Sequence, residues 1–108
     1  MEIRFERCNA VDEFYDIYER DLFIGEFRIY RNIDFAYSGV KLKDFLGYIR
    51  IGKAYRNRGI LKRVVEEFGI KSLMVDDIED IPVKTLIDIY KRLGFRLIEG
   101  SERFMIRD

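Results

Sequence analysis

The sequence predicts an α/β (α+β) fold, a mixed β-sheet covered by helices. Three observations carry this. Runs that alternate apolar and charged residues dominate the first part of the chain. Two later segments repeat their apolar residues at helical spacing, and each is closed by a glycine. Between them lies a short apolar run, which a helical crossover of that length places parallel to the strand before it.

The elements follow in order. "EIRFER" alternates and predicts a strand over roughly 2–7. "EFYDIYER" and "LFIGEFRIYR" predict an antiparallel hairpin, about 13–19 and 22–31, with "DL" near its turn. Residues 32–45 are less periodic and predict a loop with Gly39 at a turn, before a strand at 46–51. Ile60, Leu61, Val64, Val65 and Phe68 predict a helix ended by Gly69, and "IKSLMV" predicts a strand over 70–75. Pro82 suits the first position of a second helix, where its missing N–H costs nothing. Val83, Leu86, Ile87, Tyr90 and Leu93 form that helix's apolar stripe, up to Gly94. "FRLIEG" and "RFMIRD" predict a closing strand pair.

Composition narrows the function classes. The chain has 108 residues, 48% apolar, with sixteen Phe and Tyr and one proline, and predicts a single domain over 1–108 with one modest core. Lys plus Arg equals Asp plus Glu, so no global field draws the chain to nucleic acid or membrane. One cysteine permits no intrachain disulfide and points to a reducing compartment. Without histidine, the usual zinc-type ligand sets are missing, so no metal is expected. The charged start is unlike a signal peptide and no apolar run is long enough to span a membrane, which predicts a cytoplasmic location.

Charge gathers at one place. "YIRIGKAYRNRGILKR", residues 48–63, carries six basic side chains, two glycines and no acid. If a strand ends near Ile51 and a helix begins near Gly59, the first amides of that helix point outward at the positive end of its dipole. Gly59 lets a ligand approach the backbone, and Arg56 and Arg58 add fork-shaped donors, so the junction suits a diphosphate. Two other readings stand beside this one. The basic residues are a solvated face opposed by "DDIED", or they bind nucleic acid with Tyr48 and Tyr55 stacking on bases. The rest of the surface is not basic, which disfavours nucleic acid.

The order of elements and two local motifs resemble the GCN5-related N-acetyltransferase (GNAT) superfamily. Arg56-Asn57-Arg58-Gly59-Ile60-Leu61 is similar to that family's Gln/Arg-x-x-Gly-x-Gly/Ala acyl-CoA signature. "LIDIYKRLGFRLIEG" is similar to its "lYeklGF" helix ending, through Tyr90, Gly94 and Phe95, and "YERDLFIGEFRIYR" resembles its second and third strands. The resemblance covers about residues 14–100. It implies a twisted sheet splayed between parallel central strands 46–51 and 70–75, with acetyl-CoA lying in the V as acyl donor. The pantetheine amides would pair with backbone at Ile49, Arg50 and Ile51. The diphosphate would sit on amides from Arg56 through Asn57, Arg58, Gly59 and Ile60 to Leu61.

The same resemblance gives Tyr90 the role of proton donor to the leaving thiolate, which suits a phenol that stays protonated at neutral pH. The acceptor would be an amine, either a protein lysine or a small amine. The base is unassigned. Met74 stands where some relatives carry a glutamate, while Asp76, Asp77 and Glu26 are the acids within reach. Three positions depart from the family pattern. Leu61 replaces a very small residue, Val83 or a neighbour replaces an asparagine, and only "CNAVDE" separates the first two strands where relatives carry two helices. The acceptor face should therefore be open, to be covered by a protein acceptor or by a second copy in a homodimer. The alternative reading is a degenerate member that binds a partner protein without catalysis.

Overall fold

The computed structural model describes residues 2–78 and 80–108, with the side chains of residues 34 and 35 also outside the description. Glu79 of the acidic run therefore lies outside the described residues. Among the described residues, seven strands form one mixed sheet in the order β1-β2-β3-β4-β5-β7-β6. They are β1 (Ile3–Arg7), β2 (Glu13–Glu19), β3 (Leu22–Tyr37), β4 (Val40–Ile51), β5 (Ser72–Met74), β6 (Arg96–Leu97) and β7 (Phe104–Ile106). Helix α1 (Ile60–Glu67) joins β4 to β5, and α2 (Val83–Arg92) joins β5 to β6. All neighbours are antiparallel except β4 and β5.

Alternation in the first three strands sorts the side chains onto two faces. Phe5, Tyr15 and Phe27 point inward and meet Phe68 at the end of α1, with ring centroids 4.7–5.6 Å apart. Ile17, Val64 and Val65 are fully buried beside them. The opposite face carries Phe14 against Tyr48, Tyr18 against Phe23, and Arg28 over the Tyr30 ring. Arg31 ties the sheet to α1. It donates to both Glu13 oxygens, to Asp44 Oδ1 and to the Phe68 carbonyl, so one guanidinium links β2, β3, β4 and the helix end.

The connection between β1 and β2 contains no helix. Asn9 Oδ1 accepts from the Val11 and Asp12 amides, a side-chain turn that reverses the chain within five residues. Asp12 of this connection lies against Arg28 on the outer face, at 3.7 Å.

Residues 32–45 are corrected from loop to sheet. β3 continues to Tyr37 and β4 begins at Val40, around a two-residue turn in which Ser38 and Gly39 both have positive φ (50° and 77°). The pairing shifts register between Asn32 and Ala36, and that irregularity erases the alternation a strand would otherwise show. Two boundaries also move. The strand expected over 70–75 is Ser72–Met74, flanked by buried Ile70 and Val75. Pro82 is the residue before α2 rather than its first, and its carbonyl accepts from the Thr85 and Leu86 amides.

Both helices end in the same way. Gly69 and Gly94 take positive φ, and the following amides fold back, Ile70 onto the Val65 carbonyl and Phe95 onto the Tyr90 carbonyl. In α2 this cap also sets the Phe95 ring edge-on to Tyr90 at 5.9 Å. No helix among the described residues is long and apolar enough to cross a membrane.

Candidate functional site: a gap between β4 and β5

The parallel ladder between β4 and β5 is short, with Phe45 opposite Ser72 and Leu46 opposite Leu73. Beyond Leu46, β4 runs on to Ile51 paired only with β3. Two local causes separate the strands. On β4, Gly47 is an extra residue between the pairs Arg28–Tyr48 and Ile29–Leu46, and such a bulge bends its strand. A Cβ there would overlap the Tyr30 ring, which would have to swing aside. On the other side, the chain leaving β5 follows β7. The Val75 amide donates to the Arg103 carbonyl, and the Arg103 guanidinium donates to the Val75 carbonyl and to Asp77.

A cleft of about 670 Å³ opens from this gap. Its sheet wall is Ile49, Arg50 and Ile51, and its floor includes Tyr90. Leu86, Ile89 and Arg92 of α2, with Leu93 just past its end, form one side, and Arg56, Asn57, Gly59, Ile60, Leu61 and Lys62 form the other. Every site residue expected from the sequence lines it except Arg58, whose guanidinium lies over the ring of cleft-lining Tyr55 at 5.7 Å. Ile89 and Arg92 were not among the expected residues. Their signal was the i, i+3 spacing from Leu86, on a helix face adjacent to the stripe.

The turn into α1 is left-handed at two places, Asn57 (φ 62°) and Gly59 (φ 79°). Asparagine tolerates that conformation better than most side chains, and glycine adopts it without strain. From Arg56 through Lys62 no backbone amide has a protein acceptor among the described residues; the first such bond is from Arg63 to the Gly59 carbonyl. No protein atom lies where a Gly59 Cβ would be, so the approach to these amides is open. Free amides, a helix start and nearby Lys62 suit an anion with several oxygens.

Arg56 is more committed than its residue type suggested. Its Nε donates to the Ile51 carbonyl at 3.1 Å, and its Nη1 sits 2.9–3.0 Å from both Asp80 oxygens. Lys53 approaches the same carboxylate at 3.4 Å, and the Arg56 hydrogen bond holds the Asp80 carboxyl below the usual range. Arg56 thus pins the end of β4 to the loop before α2, shaping the cleft mouth. Leu61 is half-buried, packed against the core while also facing the cleft.

Tyr90 is 7% exposed, and its hydroxyl has no protein partner among the described residues. Burial, aided by the Asp76 charge, raises its phenol well above the ordinary value, so it stays protonated throughout the neutral range. Tyr90 also lines a second, small cavity of about 20 Å³ on the far side of the gap, with Tyr48, Met74 and Asp76. Ile49, Ile78 and Leu86 are shared walls of the two cavities.

No protein-family model matches the sequence, and no curated protein matches it. The chain does resemble a solved structure, a candidate acetyltransferase of the GNAT family from Bacteroides thetaiotaomicron. The TM-score is 0.52 at 22% identity, over 92% of this chain and 64% of that one. This chain therefore spans less than two thirds of its neighbour's length. At that identity the likeness concerns the fold: this mixed sheet flanked by two helices and parted between β4 and β5 is GNAT-like.

Proposed function

We propose that the protein is an acyl-CoA-dependent N-acyltransferase that moves an acetyl group from acetyl-CoA to an amine. The observation that carries this reading is the gap itself, with unpartnered amides at one end and a protonated, buried tyrosine on its floor. An extended amide-rich chain can pair with the free edge of β4 at Ile49 and Arg50 while its diphosphate rests on the amides opening α1. The Tyr90 hydroxyl then faces the thioester end, where the departing sulfur needs a proton.

A second reading is a silent relative that binds a partner protein. Two observations favour it. Arg56 already holds Asp80, and Leu61 faces the cleft where the family signature has almost no side chain.

Thermal unfolding with acetyl-CoA, read beside thiol release in the presence of a lysine peptide, separates the two. Donor at a hundred times its Kd is expected to stabilise the fold by about 2.7 kcal/mol, roughly 10 °C in Tm. No rise in Tm overturns the acyltransferase reading. A rise without thiol release leaves the silent one.

A further inference from the structure

Resting on the acyltransferase reading, we infer that Asp76 is the group that takes the proton from the acceptor, and that the acceptor is an unbranched primary alkylamine of the lysine side-chain type.

The acids around the gap are not equivalent. Asp77 pairs with Arg103 at 3.1 Å, and Asp80 is held by Arg56 and Lys53. Glu26 lies on β3, opposite Arg50 and one strand further from the gap. Asp76 makes no ion pair or hydrogen bond with the described residues, and it lines the small cavity beside Tyr48 and Tyr90. Because Tyr90 faces both cavities, a carboxylate and a phenol flank one opening, with the large cleft on one side and the outer sheet face on the other.

That arrangement fits the proton inventory of amide formation. An alkylammonium has no lone pair and must lose a proton before its nitrogen can attack. The nitrogen–carbon bond forms and the carbon–sulfur bond breaks. Nitrogen sheds two protons. Asp76 takes the one lost before attack and passes it to water, and Tyr90 gives one to sulfur and is reprotonated, through water, by the one lost after attack. Ammonium and thioester thus become amide, free thiol and one released proton. The groups facing Asp76 set its basicity. Burial raises its carboxyl above the usual range, Arg50 from β4 opposes this, neighbouring Asp77 adds to it, and Arg103 ahead of β7 opposes it again.

The size of the opening selects the acceptor. About 20 Å³ holds one water-sized group, and beside Asp76 and the two tyrosines the walls include Leu46, Leu73, Met74 and Leu86. A slender methylene chain ending in nitrogen passes such an opening. An amine on a branched carbon or a sugar ring does not.

The test uses the full chain with Asp76→Asn and Asp76→Glu, acetyl-CoA, and two acceptors, Nα-acetyl-lysine amide and an amine on a branched carbon. Wild type is expected to prefer the lysine derivative by at least about 10-fold in kcat/KM. Asp76→Asn should keep the acetyl-CoA-induced rise in Tm but lose about 100-fold in rate at pH 7. That loss should shrink as pH approaches the free amine's pKa near 10.4, while Asp76→Glu recovers part of the rate at pH 7. A pH–rate profile for Asp76→Asn that coincides with wild type overturns the inference, as does equal use of the branched amine. If acetyl-CoA stabilises neither wild type nor variant, the acyltransferase reading fails, and this inference with it.

Discussion

Replacing Tyr90 with phenylalanine is expected to lower kcat by about 100-fold while leaving acetyl-CoA binding unchanged. The change removes one oxygen from a side chain whose ring is held by Phe95 and by the α2 cap, so the helix and the cleft wall persist. Under the proposed function, what is lost is the proton for the departing sulfur. Stability carries an independent signature of the same burial. An unfolded tyrosine ionises near pH 10, whereas the folded Tyr90 phenol resists ionisation well beyond that. Its contribution is therefore complete below pH 10 and is lost as pH rises above it. Alkaline unfolding followed by circular dichroism should show wild type losing stability above pH 10 more steeply than Tyr90→Phe. Equal turnover in the two proteins removes the tyrosine from the mechanism.

Gly25→Ala is expected to destabilise the fold by about 3 kcal/mol, a fall of roughly 10–15 °C in Tm. Gly25 pairs with Ile51 across the β3–β4 ladder, and a Cβ there would overlap the Arg50 carbonyl and lie 3.1 Å from Ile51 Cα. Neither neighbour is the movable end of a side chain. Relief requires the end of β4 to shift, and that end is the sheet wall of the cleft. The variant should thus lose the acetyl-CoA response along with its stability. A urea midpoint within error of wild type contradicts this account of the β3–β4 contact.

Local chemistry made much of the fold legible. β2 was readable from alternation in "EFYDIYE", and α1 from Ile60, Val64 and Val65 followed by Gly69, because each signal is complete within one element. The long β3–β4 hairpin was not, since its register shifts break the period on which a strand is recognised. Within the site, the Arg56–Gly59 turn and Tyr90 were identifiable because their residue types and neighbours are local. The partner of Arg56 was not, since Asp80 lies 24 residues away and nothing nearby announces the pair. Asp76 and Asp77 are adjacent and chemically identical, and only the position of Arg103 distinguishes the paired one from the one left at the opening. The bulge at Gly47 had no sequence signature beyond the glycine itself, yet it helps to part the strands.

The proposed function requires amides opening α1 and the free edge of β4 to receive an acyl-CoA. The most direct measurement is a CoA titration of ¹⁵N-labelled protein followed amide by amide. Saturable shifts concentrated at residues 56–62 and 47–51, with β1 and β2 unmoved, are the predicted result. Amides of 56–62 that stay fixed at millimolar CoA would contradict the account.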